Sequence, residues 1–105
     1  MNEPESSAQP PFTQKDIERA ESRVEHAREG AAHAALSAAQ SLDKTARSHE
    51  EVAALEEATS AQEPRPNDVL QQSAGEHRAY AAEDRAMADK KREEADGHFN
   101  SGTQG

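Results

Sequence analysis

The sequence predicts an all-α protein: an elongated antiparallel helical hairpin with disordered termini. Three observations carry that expectation. Alanine, the strongest helix former, fills 21 of the 105 positions. Between Pro11 and Pro64 there is no proline, so nothing forces the chain out of a helix over that span. A pattern of eleven residues also recurs 28 positions on, SHEEVAALEEA at 48–58 and EHRAYAAEDRA at 76–86. Each copy reads His, two residues, a large apolar residue, Ala-Ala, one residue, an acid, one residue, Ala. Two helices that pack against each other need the same face twice.

Residues 1–12 are polar and proline-rich and read as a disordered tail. PFTQKDI then supplies a helix start. Thr13 suits the N-cap, Asp16 the third helical position of a capping box, and Phe12 with Ile17 the two positions of a hydrophobic staple. The first helix is expected over about 13–61, a length of ~70 Å. Gly30 is its weak point, and a break there would give three helices instead of two. EPRPND marks the loop at 62–67, where Pro64 and Pro66 stop the first helix. Asp68 suits the next N-cap, with Gln71 three residues on. The second helix is expected over about 68–96. Lys90, Lys91 and Arg92 fall near its C-terminal end and Gly97 stops it, leaving 98–105 as a tail.

A hairpin folded about this loop places opposite each other residues whose numbers add to about 129. His49 then faces Tyr80, Val52 faces His77, and Leu42 faces Met87. The predicted seam holds His49, Val52, Leu55, Leu70, His77, Tyr80 and Met87. Polar interruptions such as Thr45 and Asp84 favour a short irregular bundle over a long regular coiled coil. The second helix is too short to cover the first beyond about residue 33. The uncovered stripe of Ile17, Val24 and Ala27, with Leu36 and Leu42 beside it, is the predicted interaction face.

Composition narrows the function. There are 21 acidic against 12 basic residues, a net charge of -9, which repels nucleic acid and anionic membrane surfaces. No apolar run is long enough to span a bilayer, and no basic, apolar leader opens the chain. The expected location is the cytoplasm, the alternative being secretion without a cleaved signal peptide. Leu, Ile, Val and Phe together number ten, too few for a core of ordinary thickness. A thin hairpin of this kind is marginal alone. Its expected partner is a second copy of itself or another helical protein.

Chemistry is sparse. The chain has five histidines and no cysteine. His26 and His33 share a helix face, and His49 and His77 can meet in the seam. Neither the Glu-x-x-His spacing of di-iron bundles nor the His-Glu-x-x-His zinc motif occurs. No phosphate loop or nucleophile motif is present. No metal, cofactor or catalytic residue is assigned, and the expected role is a non-enzymatic interaction or oligomerisation module. Tyr80 and Asp84, within YAAED, match the Tyr-x-x-x-acid export signal of type VII secretion substrates. A helical hairpin of about 100 residues with this pair resembles the WxG family. That resemblance implies export as the alternative function. The turn EPRPND carries no Trp-x-Gly.

Overall fold

Thr13 opens the first helix as the sequence requires. In the computed structural model, which describes residues 11–103, α1 spans Gln14–Ala61 and α2 spans Asp68–Thr103. The Thr13 hydroxyl accepts from the Asp16 amide at 3.1 Å, and the Asp16 carboxylate accepts from the Thr13 amide at 3.1 Å. Both arms of the capping box are therefore made. The staple is not: Phe12 stays 85% exposed. α1 runs unbroken through Gly30, so the three-helix alternative does not hold. A Cβ at Gly30 would meet nothing, so no tertiary contact demands a glycine or a bend there.

The loop at 62–67 lies where expected, but its lock was not foreseen. Asn67, not Asp68, caps α2: its side-chain oxygen accepts from the Leu70 amide at 3.1 Å. Asp68 is instead the first helical residue, where its charge suits the dipole. Ser60, buried at the end of α1, accepts from the Asn67 amide at 3.0 Å and the Gln71 side chain at 3.4 Å. One hydroxyl thus ties the end of α1 to the start of α2.

α2 also passes through Gly97 and ends at Thr103. The expected stop fails because no left-handed residue terminates the helix; among the described residues no φ is positive. Lys91 and Arg92 consequently lie well inside α2 and pair with acids instead of its terminal carbonyls. Of the expected tails 1–12 and 98–105, residues 1–10 and 104–105 lie outside the described residues, 11–12 precede the helix, and 98–103 are helical.

Burial along the two helices is periodic. The buried residues of α1 are Ala32, Ala35, Ala39, Ala46, Ala53 and Ser60, and those of α2 are Ala74, Ala81, Ala88 and Ala95. Apart from Ala35, each series steps by seven; Ala32 clusters with Ala95, and continuing that register matches the remaining members with numbers that add to 127. Half-buried residues fill the intervening positions: Leu42, His49 and Glu56 on α1, and Leu70, His77, Asp84 and Lys91 on α2. The seam is thus more regular than the sequence reading allowed, and Asp84 sits within it.

Among the described residues no side chain larger than alanine is fully buried. The predicted seam residues Val52, Leu55, Tyr80 and Met87 are 39%, 68%, 50% and 50% exposed. Alanines take the innermost positions, where the helices approach most closely, and these larger residues stand on the outer faces beside them. The protein is one helix layer thick, with extents of 99 × 28 × 13 Å.

This seam makes a sharp prediction. Ala46→Asp places an uncompensated carboxylate in a fully buried position, a burial that costs several kcal/mol. Ala54→Asp carries the same change in helix propensity on an exposed site of the same helix. Thermal melts followed by circular dichroism are expected to show a large loss for Ala46→Asp and a small one for Ala54→Asp. Equal losses would refute the seam.

Candidate interaction surfaces

The seam divides the hairpin into two flanks of opposite character. On one flank, Asp43, Glu50 and Glu57 of α1 step by seven, as do Arg78, Arg85 and Arg92 of α2. They meet as rungs. Arg78 donates to Glu57 at 2.5 and 3.0 Å, and Arg85 donates to Glu50 at 2.6 and 3.2 Å. Arg92 pairs with Asp43, which lies 3.9 Å from Arg85 as well. Two-pronged geometry and repetition make this ladder more than a set of isolated surface pairs. Leu36 lies seven residues before Asp43, and Phe99 seven after Arg92, so they extend the same flank. Phe99 packs edge-on to His33, ring centroids 6.0 Å apart.

The hydrogen bond to Arg85 holds the Glu50 carboxyl below its ordinary 4.5, and that to Arg78 does the same for Glu57. Each lowered acid stabilises the fold above its unfolded value, and this stabilisation is lost as pH falls through the folded value. The double variant Glu50→Gln, Glu57→Gln is therefore expected to melt lower than the parent at pH 7 in low salt. The gap should close towards pH 3 and shrink in 1 M salt, where screening is nearly complete. A gap independent of pH and salt would show that the ladder does not act through charge.

At the centre of the seam, His49 Nδ1 lies 2.8 Å from His77 Nδ1. One ring must donate and the other accept, so at least one Nδ1 carries no proton. Tyr80 flanks both, with ring centroids 5.5 Å from His49 and 6.5 Å from His77. The expected approaches of His49 to Tyr80 and of His49 to His77 are thus both present. Further along, Ser73 donates to Glu56 at 2.6 Å. The other Glu56 oxygen and one oxygen of Asp84 are buried without a hydrogen-bond partner among the described residues. Nor does any group of three or more His, Asp or Glu there gather as a metal site.

The histidine contact can be weighed by a double-mutant cycle. His49→Leu alone or His77→Leu alone strands one half-buried ring nitrogen, whereas the double variant strands none. The two losses are expected to be non-additive, with a coupling of ~0.5–1.5 kcal/mol in chemical denaturation. Additive losses would mean the contact contributes nothing.

The opposite flank of α1 carries no charge. Ile17, Val24, Ala31, Ala38, Thr45, Val52 and Thr59 form one row, and Ala20, Ala27, Ala34, Ser41, Ser48 and Leu55 the row beside it. These thirteen positions alternate by three and four residues, the signature of a helix face made to pack. All are exposed except Ala31 and Ala38, which are half-buried. Tyr80 and Met87 of α2 stand on the same side of the seam. An open depression lies along the N-terminal third, where Phe12, Ile17, Ala20 and Val24 share its wall with the charged Asp16, Glu18, Glu21, Glu25 and Arg28.

Of the predicted interaction face, Ile17, Val24 and Ala27 fall on this stripe. Leu42 does not, being half-buried in the seam, and Leu36 belongs to the ion-pair flank. The uncovered part of α1 is also shorter than expected. In the register of 127, Thr103 at the end of α2 reaches the level of Val24. The seven-residue spacing of Ala32, Ala39, Ala46 and Ala53, matched by that of Asp43, Glu50 and Glu57, was the sequence signal that separates the two flanks. Comparison with protein-family models, curated proteins and solved structures finds no match for this chain. Among the described residues no helix is long and apolar enough to cross a membrane.

Proposed function

We propose that this chain is a non-enzymatic interaction or oligomerisation module whose binding face is the uncharged stripe of α1. One observation supports the reading above all. In a chain with 31% charged residues, thirteen consecutive positions of one face carry none, and most of them are exposed. Solvated helix faces are ordinarily charged, so a long uncharged face asks to be covered. The accessible surface points the same way. It is 7995 Å², against ~5,800 Å² for a compact monomer of this mass. Ten large apolar side chains are exposed, while Leu42 and Leu70 are half-buried. The partner would therefore supply the core that the hairpin lacks.

Recognition through Tyr80 and Asp84 has less support. Asp84 is half-buried in the seam, so a receptor reading both residues would have to open the hairpin. The stripe needs no such opening.

The test is the size of the native complex. In lysate of its own cells, the full chain is expected to elute as part of a species larger than the monomer. Val24→Asp and Val52→Asp should each shift it to monomer size while the purified variants keep their helicity. Gln40→Asp, on the other flank, should not. A native species unchanged by both stripe variants would overturn the reading.

A further inference from the structure

The uncharged stripe has a symmetric size profile. Its midpoint is Ala38, and around that point the residues are small: Ala31, Ala34, Ser41 and Thr45. Its larger side chains lie towards the two ends, Ile17 and Val24 at one, Val52 and Leu55 at the other. A stripe that reads alike in both directions is what a two-fold interface requires, because each residue must meet its counterpart from the opposite end. We propose that two copies of this chain pair through α1, antiparallel, about a two-fold axis at Ala38. This rests on the interaction-face reading and names its partner.

The pairs follow from the axis. Residues of the outer row meet when their numbers add to 76: Val24 packs on the partner's Val52, Ile17 on the partner's Thr59, and Ala38 on its own copy. In the adjoining row the numbers add to 75, and Ala20 meets the partner's Leu55. Small residues at the centre permit close backbone approach, and larger ones close the ends. Charge agrees. The rim row beside the stripe places Arg23 against the partner's Glu51, and within the chain neither forms an ion pair among the described residues. Apart from Gln14 to Arg23, α1 is already covered by α2. In the dimer that overhang would lie along the loop end of the partner's α1.

The stripe lies about a quarter-turn around α1 from the seam. α1 can therefore contact α2 on one side and a second α1 on the next, as each helix of a four-helix assembly does.

The chain has no cysteine, so single-cysteine variants of the full protein give a clean test. Ala38→Cys, Val24→Cys, Val52→Cys and, on the opposite flank, Gln40→Cys would be oxidised at equal concentration and run on non-reducing gels. Circular dichroism on the same samples checks that each is folded. Ala38→Cys is expected to link with itself more than about tenfold faster than Gln40→Cys, since a dimer raises the local thiol concentration to the millimolar range. Val24→Cys mixed with Val52→Cys should give the mixed dimer, while each alone gives little. Self-linking by each of the three stripe variants would indicate parallel pairing and overturn the antiparallel axis. Linking no faster than Gln40→Cys, with a monomer mass by light scattering, would overturn the homodimer. The interaction-face reading would then stand or fall separately, on whether Val24→Asp shrinks the native complex.

Discussion

The close approach of two helices through alanine governs this structure. Ala32, Ala39, Ala46 and Ala53 face Ala95, Ala88, Ala81 and Ala74, all essentially inaccessible to solvent. A seam of methyl groups buries little area, on the order of 25 cal/mol per Å², so it stabilises weakly for its length. Its innermost layers leave no room for large side chains, and Leu42, His49, Glu56, Leu70 and His77 sit half-buried between those layers. Val52, Tyr80 and Met87 are consequently pushed to the outside. The apolar flank accompanies the tight seam, and a partner covering it would compensate for what the seam cannot bury.

Weak apolar burial raises the importance of register. Alanine layers alone would tolerate a slip of seven residues, because one alanine resembles the next. The polar positions between them would not. A slip would part His49 from His77 and Ser73 from Glu56, and although two rungs of the ladder would re-form, one acid and one arginine would be left unmatched. Polar groups inside a packed seam are best attested as devices that fix register, at some expense in stability. The unpartnered oxygens of Glu56 and Asp84 are part of that expense. At the loop end, Ser60 holding Asn67 anchors the register where the chain turns.

Local signals in this sequence were easy to read and longer-range ones were not. Thr13 and Asp16 specify the first cap by chemistry that needs no tertiary partner, and the loop at 62–67 follows from two prolines. The 28-residue repeat rightly implied that the two helices share a face. What misled was the preference for placing large apolar residues inside. That preference assigned Val52, Leu55, Tyr80 and Met87 to the seam, while Leu42 was placed both opposite Met87 and beside the outer stripe. Yet the acids at 43, 50 and 57 and the arginines at 78, 85 and 92 already step by seven. Matched charges at that spacing define the flank of a seam, and the alanines beside them define its centre. Gly97 misled for a different reason. A glycine ends a helix when it adopts a left-handed conformation, and nothing in the residues after it compels one.

The two flanks also explain how an exposed apolar stripe is compatible with a net charge of -9. Uniform acidity would oppose any association of like chains. Here each rung of the ladder pairs an acid with an arginine, so much of the neutralised charge lies on one side of the seam. The stripe on the other side is itself uncharged. Approach through the stripe brings together the faces with the least like-charge repulsion, while the remaining acidity guards against indiscriminate clustering. If the stripe is a binding face, a narrow uncharged stripe on an otherwise acidic rod would favour a single closed pairing over open-ended aggregation. The spacing that closes the hairpin would then also direct what it binds.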